Sequence, residues 1–449
     1  MDDIEKKIIS YIDKNKNEYV SFLQKLLRIP SLTGEEKEAQ VFVAKELKKQ
    51  GYNVEMFEPD VKELFDKYPQ VAQIPSAWNP EYDMPLRTSD VFTYPQLMES
   101  KFDKIKTYKN RPNVIAKLPG TGGGKSLILN GHIDVVTIGD RAKWVHDPWG
   151  AEIEDGKMYA RGASDMKGGV AAMMKAMEAI IKSGVKLRGD IMMQTVVNEE
   201  HAGNGALACV AKGYTADAAI ITEPTGSSMV AVESGGGVYW EIKIKGKETH
   251  AACRWDGKKQ YGVSAIEKTP LIINKLMDME RSLNKDEADI SLCIGMIKGG
   301  TYSTSTALEC TLNGVAYFSA NLGTGEQGML KVKKLLKECV KNINDPWLKQ
   351  NPPELLFQHY DDAYRLGDNG KEILSTLKCA GKDVLGKEPV TSKMGACDAR
   401  SLGNSGKIPV IVYGPGNVKT AHSLDEHISI DDYLKSIKVL AIAIYRWSK

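Results

Sequence analysis

The sequence has few features that would place the protein outside the cytosol or in a membrane. Its seven cysteines are an odd number and include no C-x-x-C pair, which favours reduced thiols over a disulfide framework. The N-terminus does not show a basic start followed by an apolar core, so we expect no signal peptide. The apolar stretch Val439–Tyr445 is too short to span a bilayer. We therefore expect a cytoplasmic protein without a membrane partner.

The sequence also lacks an excess of either charge. It contains 60 basic and 58 acidic residues, a net charge of +2, which offers no electrostatic attraction for nucleic acid. Internal repeats and low-complexity tracts are missing as well. What remains is a chain of 449 residues with 42% apolar and 26% charged residues, the composition of an ordinary globular protein.

The chain is longer than one compact core usually holds, so we expect two domains. From Asn113 onward, apolar runs typical of buried strands alternate with helical segments, which predicts an α/β fold with a mainly parallel sheet between helices. In the middle of the chain the order becomes βαββαβ, which predicts an inserted α+β domain. We therefore predict a first catalytic part at 1–234, the inserted domain at 235–354 and a second catalytic part at 355–449.

Two segments near the N-terminus differ from the alternating pattern. The run Thr33-Gly-Glu-Glu resembles a helix start. The region 58–110 has weak periodicity and is rich in Pro, Tyr, Phe and Trp. Because flexible linkers are rich in Gly and Ser instead, this region is interpreted as an insertion rather than a linker.

Histidine and acidic residues recur where the predicted strands end or a helix begins. They are His132 and Asp134 after SLILN, Asp165 before a helix, Glu199 and Glu200 after IMMQTVVN, Glu223 after AAIIT, and His422 after IPVIVY. Because ligand sites of open α/β sheets lie beyond the carboxyl ends of the strands, we expect these side chains to converge. Such ligands suit zinc, with cobalt or manganese as alternatives. Two divalent ions fit if one carboxylate bridges them.

Neighbouring residues in this set suggest a division of roles. Residues i and i+2 of an extended backbone share a face, so we expect the Asp134 carboxylate to accept the second ring N–H of His132. Glu199 and Glu200 cannot both point the same way, so one binds metal while the other acts as general base. Taken singly, these residues have ordinary explanations, such as a helix cap for Asp165. Only their joint order favours a metal site.

The motifs N-G-H-I-D-V-V, R-G-A-S-D-M-K-G-G, N-E-E, T-E-P and A-H-S-L-D-E, in this order, resemble the family of acetylornithine deacetylase, succinyl-diaminopimelate desuccinylase and carboxypeptidase G. The resemblance covers nearly the whole chain. The metal ligands that it implies are His132, Asp165, Glu200, Glu223 and His422. It implies that Asp165 bridges, that His132 and Glu223 serve one ion, and that Glu200 and His422 serve the other. Glu199 is then the general base.

The same resemblance assigns roles outside the metal site. It implies that the inserted domain is a lid that also forms a homodimer interface, and that His250 polarises the scissile carbonyl, often across the dimer. Arg400 would meet a substrate carboxylate, and Gly414 and Gly416 would bring backbone close to the substrate. Structural alternatives are a strand-ending polar residue for His250, a surface salt bridge for Arg400 and a tight turn for the glycines.

Three residues of the inserted domain depart from the family pattern. Thr304 and Ala307 stand where Asn and Pro are usual, and Asn321 stands where many members carry arginine. We expect metal-dependent hydrolysis of an amide in a small N-acylated substrate, with an N-acyl amino acid as first choice. The alternatives are a dipeptidase or aminopeptidase, a deformylase or deacylase of a heterocyclic amine, and an inactive metal-binding or assembly protein.

Overall fold

The computed structural model describes residues 1–73, 75, 78–79, 84–85, 94–99, 106–286 and 288–449. Much of the predicted 58–110 insertion lies outside these ranges. The helices are α1 (Asp3–Lys14), α2 (Lys16–Leu27), α3 (Lys37–Lys49), α4 (Val61–Lys67), α5 (Tyr94–Glu99), α6 (Lys167–Lys182), α7 (Asn204–Ala211), α8 (Ala265–Lys285), α9 (Gly325–Lys341), α10 (Pro346–Gln350), α11 (Lys371–Leu385) and α12 (Ile430–Ser448).

The strands alternate with these helices through most of the chain. They are β1 (Asn53–Phe57), β2 (Trp78–Asn79), β3 (Met84–Pro85), β4 (Asn113–Leu118), β5 (Leu127–His132), β6 (Glu152–Glu154), β7 (Lys157–Tyr159), β8 (Ile191–Val196), β9 (Ala218–Ile221), β10 (Met229–Ser234), β11 (Gly236–Lys245), β12 (Trp255–Asp256), β13 (Lys259–Gln260), β14 (Ile290–Gly299), β15 (Glu309–Phe318), β16 (Glu354–Asp361), β17 (Tyr364–Arg365), β18 (Val390–Met394), β19 (Val410–Val412) and β20 (His427–Ser429). Two compact units result, one from Met1–Leu86, Thr93–Glu233 and Arg365–Lys449, the other containing Ser234–Tyr364.

The first unit is built on one large sheet with the order β1-β4-β8-β5-β9-β19-β10-β17, to which β18 is added beside β10. Strands β8, β5, β9 and β19 run parallel, whereas β1, β4 and β10 run antiparallel to their neighbours. The parallel strands are mostly apolar because both of their faces are buried, and their few polar residues are buried as well. The predicted α/β fold with a mainly parallel centre is confirmed.

Helix α6 explains how this sheet is covered. Every residue from Lys167 to Ile180 is buried, and the many Ala and Met residues allow close approach to β5 and to α12. Helix α12 is likewise buried over most of its length. The two helices thus cover β5, whose end carries His132.

The predicted helix start at Thr33 was wrong. Helix α3 begins at Lys37 with Glu36 as its N-cap, and Glu36 makes no side-chain capping bond. The Thr33 hydroxyl instead donates to Oδ2 of Asp134 at 2.9 Å, so this residue supports the site rather than a helix.

The second unit is an antiparallel sheet with the order β14-β15-β11-β16, on which α8 and α9 pack. Alternate residues of β11, among them Val238, Trp240 and Ile242, are buried in a core shared with these two helices. The order β11-α8-β14-β15-α9-β16 is the predicted βαββαβ pattern. Because β16 pairs with β11, the segment Glu354–Asp361 belongs to this unit's sheet. The catalytic and lid roles of the units stay a prediction.

The state of the cysteines and the character of the helices bear on two further features of the sequence. All seven cysteines are free, and four are buried: Cys209, Cys310, Cys339 and Cys397. Within the described part of the chain, no helix combines the length and apolar character that crossing a membrane requires.

Candidate metal centre

The predicted ligands lie where the parallel strands of the first unit end. His132 is the last residue of β5, Glu199 and Glu200 follow β8, and Glu223 follows β9. Asp165 precedes α6, and His422 lies in the connection from β19 to β20. Because β8, β5 and β9 are adjacent and parallel, their carboxyl ends bring these side chains together.

Asp165 lies at the centre of the cluster, and its two oxygens face different partners. Oδ1 lies 3.2 Å from Nε2 of His132, which is also 3.5 Å from Oε1 of Glu223. Oδ2 lies 3.3 Å from Nε2 of His422, which is also 2.9 Å from Oε2 of Glu200. The arrangement contains two histidine–carboxylate pairs that share one carboxylate.

Glu199 lies beside the first pair. Its Oε2 is 3.8 Å from Nε2 of His132, and potential ligand atoms of His132, Glu199 and Glu223 lie within 4.8 Å of one another. By distance alone Glu199 is therefore a candidate ligand as well as a candidate base. Even without Glu199, each oxygen of Asp165 faces one histidine that lies beside one further carboxylate, His132 beside Glu223 and His422 beside Glu200.

Asp134 supports the site in a way that differs from the prediction. Nδ1 of His132 lies 2.9 Å from the backbone carbonyl of Asp134 and 3.8 Å from its Oδ1. The ring therefore donates to the carbonyl rather than to the carboxylate, which still directs Nε2 towards Asp165. The carboxylate accepts the backbone N–H groups of Glu199 at 3.1 Å and Glu200 at 3.3 Å. The predicted bond from the His132 ring to the Asp134 carboxylate is therefore wrong, because the N–H groups of Glu199 and Glu200 occupy this carboxylate.

Glu426, to which the sequence assigned no role, holds the backbone at Asp165, and Arg161 pairs with Glu426. Oε1 of Glu426 accepts the backbone N–H groups of Ser164 at 2.9 Å and Asp165 at 3.0 Å. Its Oε2 pairs with Nη1 of Arg161 at 2.5 Å, and both side chains are buried. The only sequence signal for Glu426 is its place at the end of the A-H-S-L-D-E motif, which says nothing about its distant partners.

The electrostatics of the cluster reflect a surplus of buried carboxylates. Burial raises the pKa values of Glu199 and Glu223 well above the usual range, although the neighbouring His132 opposes the shift. For Asp165, hydrogen bonds from His132 and His422 outweigh burial and lower the pKa. The carboxylates of Glu200 and Asp165 raise the pKa of His422 to about 11. Carboxylates brought this close together are stabilised by protons or by bound cations.

Divalent cations fit this donor set. Oxygen and imidazole nitrogen are ligands of zinc and related ions. Among the described residues, Oε1 of Glu200 is buried and has no hydrogen-bond partner, as expected for a carboxylate that also serves an ion. The residues present therefore fit the metal ions that the sequence predicts.

Arg400 and His250, the two predicted substrate contacts, lie in different units and differ in exposure. Arg400 lies in the first unit, is 6% exposed, and its guanidinium packs against Gly203. Burial raises the pKa of Glu199, and the charge of Arg400 opposes this rise. His250 lies in the second unit, is exposed, and caps a short turn by accepting from the N–H of Ala252 at 3.2 Å. Their roles stay predictions.

The two glycines have structural reasons to be glycine. Gly416 has a φ of 101°, and a Cβ there would lie 2.6 Å from Oγ of Ser164. Its N–H donates to Oδ2 of Asp432 at 2.8 Å, and the N–H of Gly414 donates to Oγ1 of Thr225 at 3.2 Å. Both donors are thus engaged within the protein, and substrate contact by these residues stays a prediction.

An open α/β sheet with a cluster of histidines and carboxylates beyond its parallel strands is the arrangement expected of a metal-dependent hydrolase. Comparison with known proteins agrees. Residues 128–446 match the model of peptidase family M20/M25/M40, so the chain belongs to this family. The prediction of this family and of amide-bond hydrolysis is confirmed.

Individual relatives show which activities occur in related proteins. The chain is 32% identical over 381 residues to the N-formyl-4-amino-5-aminomethyl-2-methylpyrimidine deformylase of Halalkalibacterium halodurans, covering 79% of this chain and 87% of the relative. It is 25% identical over 406 residues to a probable succinyl-diaminopimelate desuccinylase of Staphylococcus aureus, covering 86% and 98%. The crystal structure of aminopeptidase PepT from Bacillus cereus shares the fold, with a TM-score of 0.67, 20% identity and coverage of 97% and 99%.

Proposed function

We propose that this protein is a two-metal deacylase that removes a small acyl group from an amine. The observation that carries the proposal is the placement of Asp165, whose oxygens face His132 on one side and His422 on the other. One shared carboxylate between two histidine–carboxylate pairs suits two adjacent ions. Glu223 completes the first pair and Glu200 the second. Zinc is the expected metal.

The chain's own residues supply the proton transfers. When bound, the cations act as Lewis acids that polarise the amide carbonyl and make an attacking water more acidic. Glu199 takes the proton from this water and later delivers it to the leaving amine. Asp134 holds the backbone at Glu199 and Glu200, and Glu426 holds the backbone at Asp165, so the carboxylates are oriented before substrate arrives.

For the amine, we propose a heterocyclic aminomethyl group as first candidate. The 32% identical relative is named as a deformylase of such a compound. In addition Arg400, the predicted anchor for a carboxylate, is only 6% exposed. An N-acyl amino acid is the second candidate, because the desuccinylase relative spans 86% of this chain.

A substrate panel tests both candidates. We would compare N-formyl aminomethylpyrimidines, N-formyl and N-acetyl amino acids, their carboxamides, and dipeptides, with zinc-loaded protein and after exhaustive chelation. We expect the formylated heterocycle to have the highest kcat/KM and chelation to abolish turnover. Full activity after chelation would overturn the two-metal mechanism. Protein that binds two ions but cleaves no amide would favour a metal-binding or assembly role.

We further propose that the second unit is a lid and joins two copies into a homodimer in the cytosol. Strand β14 is an edge of its sheet, and Met296 and Ile297 on it are 57% and 60% exposed. An exposed apolar edge strand offers unpaired backbone groups that a second copy would pair. The free cysteines support a reducing compartment.

A further inference from the structure

Residues 197–203 connect β8 to α7 and carry Glu199 and Glu200; they are called the glutamate loop below. Asn198 has a φ of 65° and Gly203 a φ of 67°, so a left-handed residue stands near each end. The N–H of Gly203 donates to the carbonyl of Asn198 at 2.7 Å, which closes the loop on itself. Asp134 holds the middle of this loop through the N–H groups of Glu199 and Glu200, and other residues hold its ends.

The hydroxyl of Tyr108 ties both ends together. It donates to Oδ1 of Asn198 at 3.0 Å and accepts from Nδ2 of Asn204, the first residue of α7, at 2.9 Å. Tyr108 is 1% exposed, and burial raises the pKa of its phenol, so it keeps the proton that it donates. Its ring lies under the guanidinium of Arg111, which pairs with the buried Glu36 at 2.6 Å. The hydroxyl is therefore fixed by a rigid surrounding.

Asn204 is also held by the backbone at Gln73. Its Nδ2 donates to the carbonyl of Gln73 at 2.6 Å, and the N–H of Gln73 donates to its Oδ1 at 3.2 Å. Gln73 and Tyr108 both belong to the predicted 58–110 insertion, Gln73 in its first part and Tyr108 near its end. Both residues bind Asn204, which directly follows the glutamate loop.

We propose that Tyr108 is a positioning residue for amide hydrolysis, whose hydroxyl sets the place of Glu199 by holding Asn198 and Asn204. This inference rests on the proposed role of Glu199 as general base. Tyr108 contacts neither the ligands nor, in this proposal, the substrate. A general base must stay within hydrogen-bond reach of the proton it takes, and a displacement of about 1 Å costs up to about 10²-fold in rate.

The test compares Tyr108→Phe with Tyr433→Phe in the zinc-loaded, full-length protein. Both variants remove one hydroxyl from a fully buried tyrosine. The hydroxyl of Tyr433 donates to the carbonyl of Tyr19 at 3.3 Å, within the helical layer formed by α2 and α12. Tyr433→Phe therefore controls for the loss of a buried hydrogen bond as such. The measurements are kcat, KM, metal content, melting temperature and the amide hydrogen exchange of peptides that span 197–204.

For Tyr108→Phe we expect kcat to fall about tenfold, KM to change less than about twofold and both metal ions to be retained. We expect exchange in the glutamate loop to become about tenfold faster, while Tyr433→Phe leaves kcat and this exchange unchanged. Equal kcat and equal loop exchange in the two variants would overturn the proposal. If wild-type protein cleaves no amide, the proposed function fails, yet faster loop exchange in Tyr108→Phe alone still supports the positioning contact and unchanged exchange overturns it.

Discussion

Glu199 and Glu200 are adjacent in sequence, but their carboxylates face different partners. Oε2 of Glu200 lies 2.9 Å from His422, and its other oxygen is buried without a partner among the described residues. Oε2 of Glu199 lies 3.8 Å from His132, and its pKa is raised by burial. The shorter distance to a histidine and the unpartnered second oxygen suit Glu200 to metal binding, which leaves Glu199 for proton transfer.

We predict opposite effects for the two neutral variants. Glu199→Gln removes the proton carrier but spares the proposed ligands, so kcat should fall by about 10²–10⁴-fold while two ions stay bound. Glu200→Gln should instead lower the metal content, because an amide is a weaker ligand than a carboxylate. Metal analysis and steady-state kinetics of both proteins check this. The reverse pattern would show that the roles are exchanged.

Among individual residues, the candidate ligands could be predicted because each stands at a strand end or before a helix in a recognisable motif. Local spacing was a poorer guide to individual contacts. It predicted a bond from His132 to the Asp134 carboxylate, which the backbone of Glu199 and Glu200 occupies instead. The bond between Tyr108 and Asn198 joins residues 90 positions apart, so no local pattern indicates it.

Among the elements, the connection from β19 to β20 joins the site to two distant segments. Asp425, which has a φ of 50°, accepts the N–H groups of Val145 at 3.1 Å and His146 at 3.0 Å. The ring of His146 lies 3.3 Å from Oδ1 of Asp425 and 3.0 Å from Oε2 of Glu154, and it stacks on Tyr159 at 3.8 Å. His146 thus holds in place the connection that carries His422.

The contacts of His146 predict how the stability of the protein depends on pH. Burial opposes a charge on His146, but Glu154 and Asp425 outweigh it and raise its pKa above the ordinary value of about 6.5. A raised pKa in the folded state means that the contribution to stability is complete below about pH 6.5 and is lost as pH rises through the folded-state pKa. Wild type should therefore exceed His146→Gln in unfolding free energy most at pH 6, and the difference should shrink towards pH 9.

Urea unfolding of both proteins in excess chelator measures this difference without a contribution from bound metal. A gap that stays constant or grows between pH 6 and pH 9 would contradict the role of the charged imidazole. A change in the m-value would indicate an altered unfolded or native state instead.

Elements with strong periodicity could be predicted, and those that depend on partners could not. The run from Gly168 to Ser183 predicts α6 within one residue at each end because its apolar face continues around the helix. The helix start at Thr33 failed because its hydroxyl bonds to Asp134, a partner 101 positions away. Composition cannot reveal such a partner.

For the whole molecule, the edge strand of the second unit predicts the oligomeric state. Met296 on β14 is 57% exposed, and Val41 on α3 of the first unit is 48% exposed. We expect wild-type protein to have twice the 49.5 kDa chain mass in solution. Met296→Lys should shift it towards the single-chain mass, because an ammonium group on an edge strand opposes edge pairing. Val41→Lys should leave the mass unchanged. Light scattering after size exclusion measures this, and a monomeric wild type would contradict it.

The dimer leads to a last prediction, about His250. The family resemblance implies that this histidine polarises the substrate carbonyl and that it often acts across the dimer. A well-placed donor to the developing oxyanion is worth about 3–4 kcal/mol, so His250→Ala should lower kcat by about 10²–10³-fold and change KM far less. His250 is exposed and accepts one bond from the N–H of Ala252, so its replacement should cost little stability.

Mixing two inactive variants decides whether this histidine acts across the dimer. When His250→Ala and Glu199→Gln chains are dissociated and reassembled in equal amounts, half of the dimers are mixed. If His250 serves the partner's site, each mixed dimer has one site with both residues intact, and about a quarter of wild-type activity returns. If His250 serves its own chain's site, every site lacks one residue and activity stays at the level of the separate variants. Mixing His250→Ala with Met296→Lys, Glu199→Gln double-variant chains is the matched control, because chains that do not associate should restore nothing in either case.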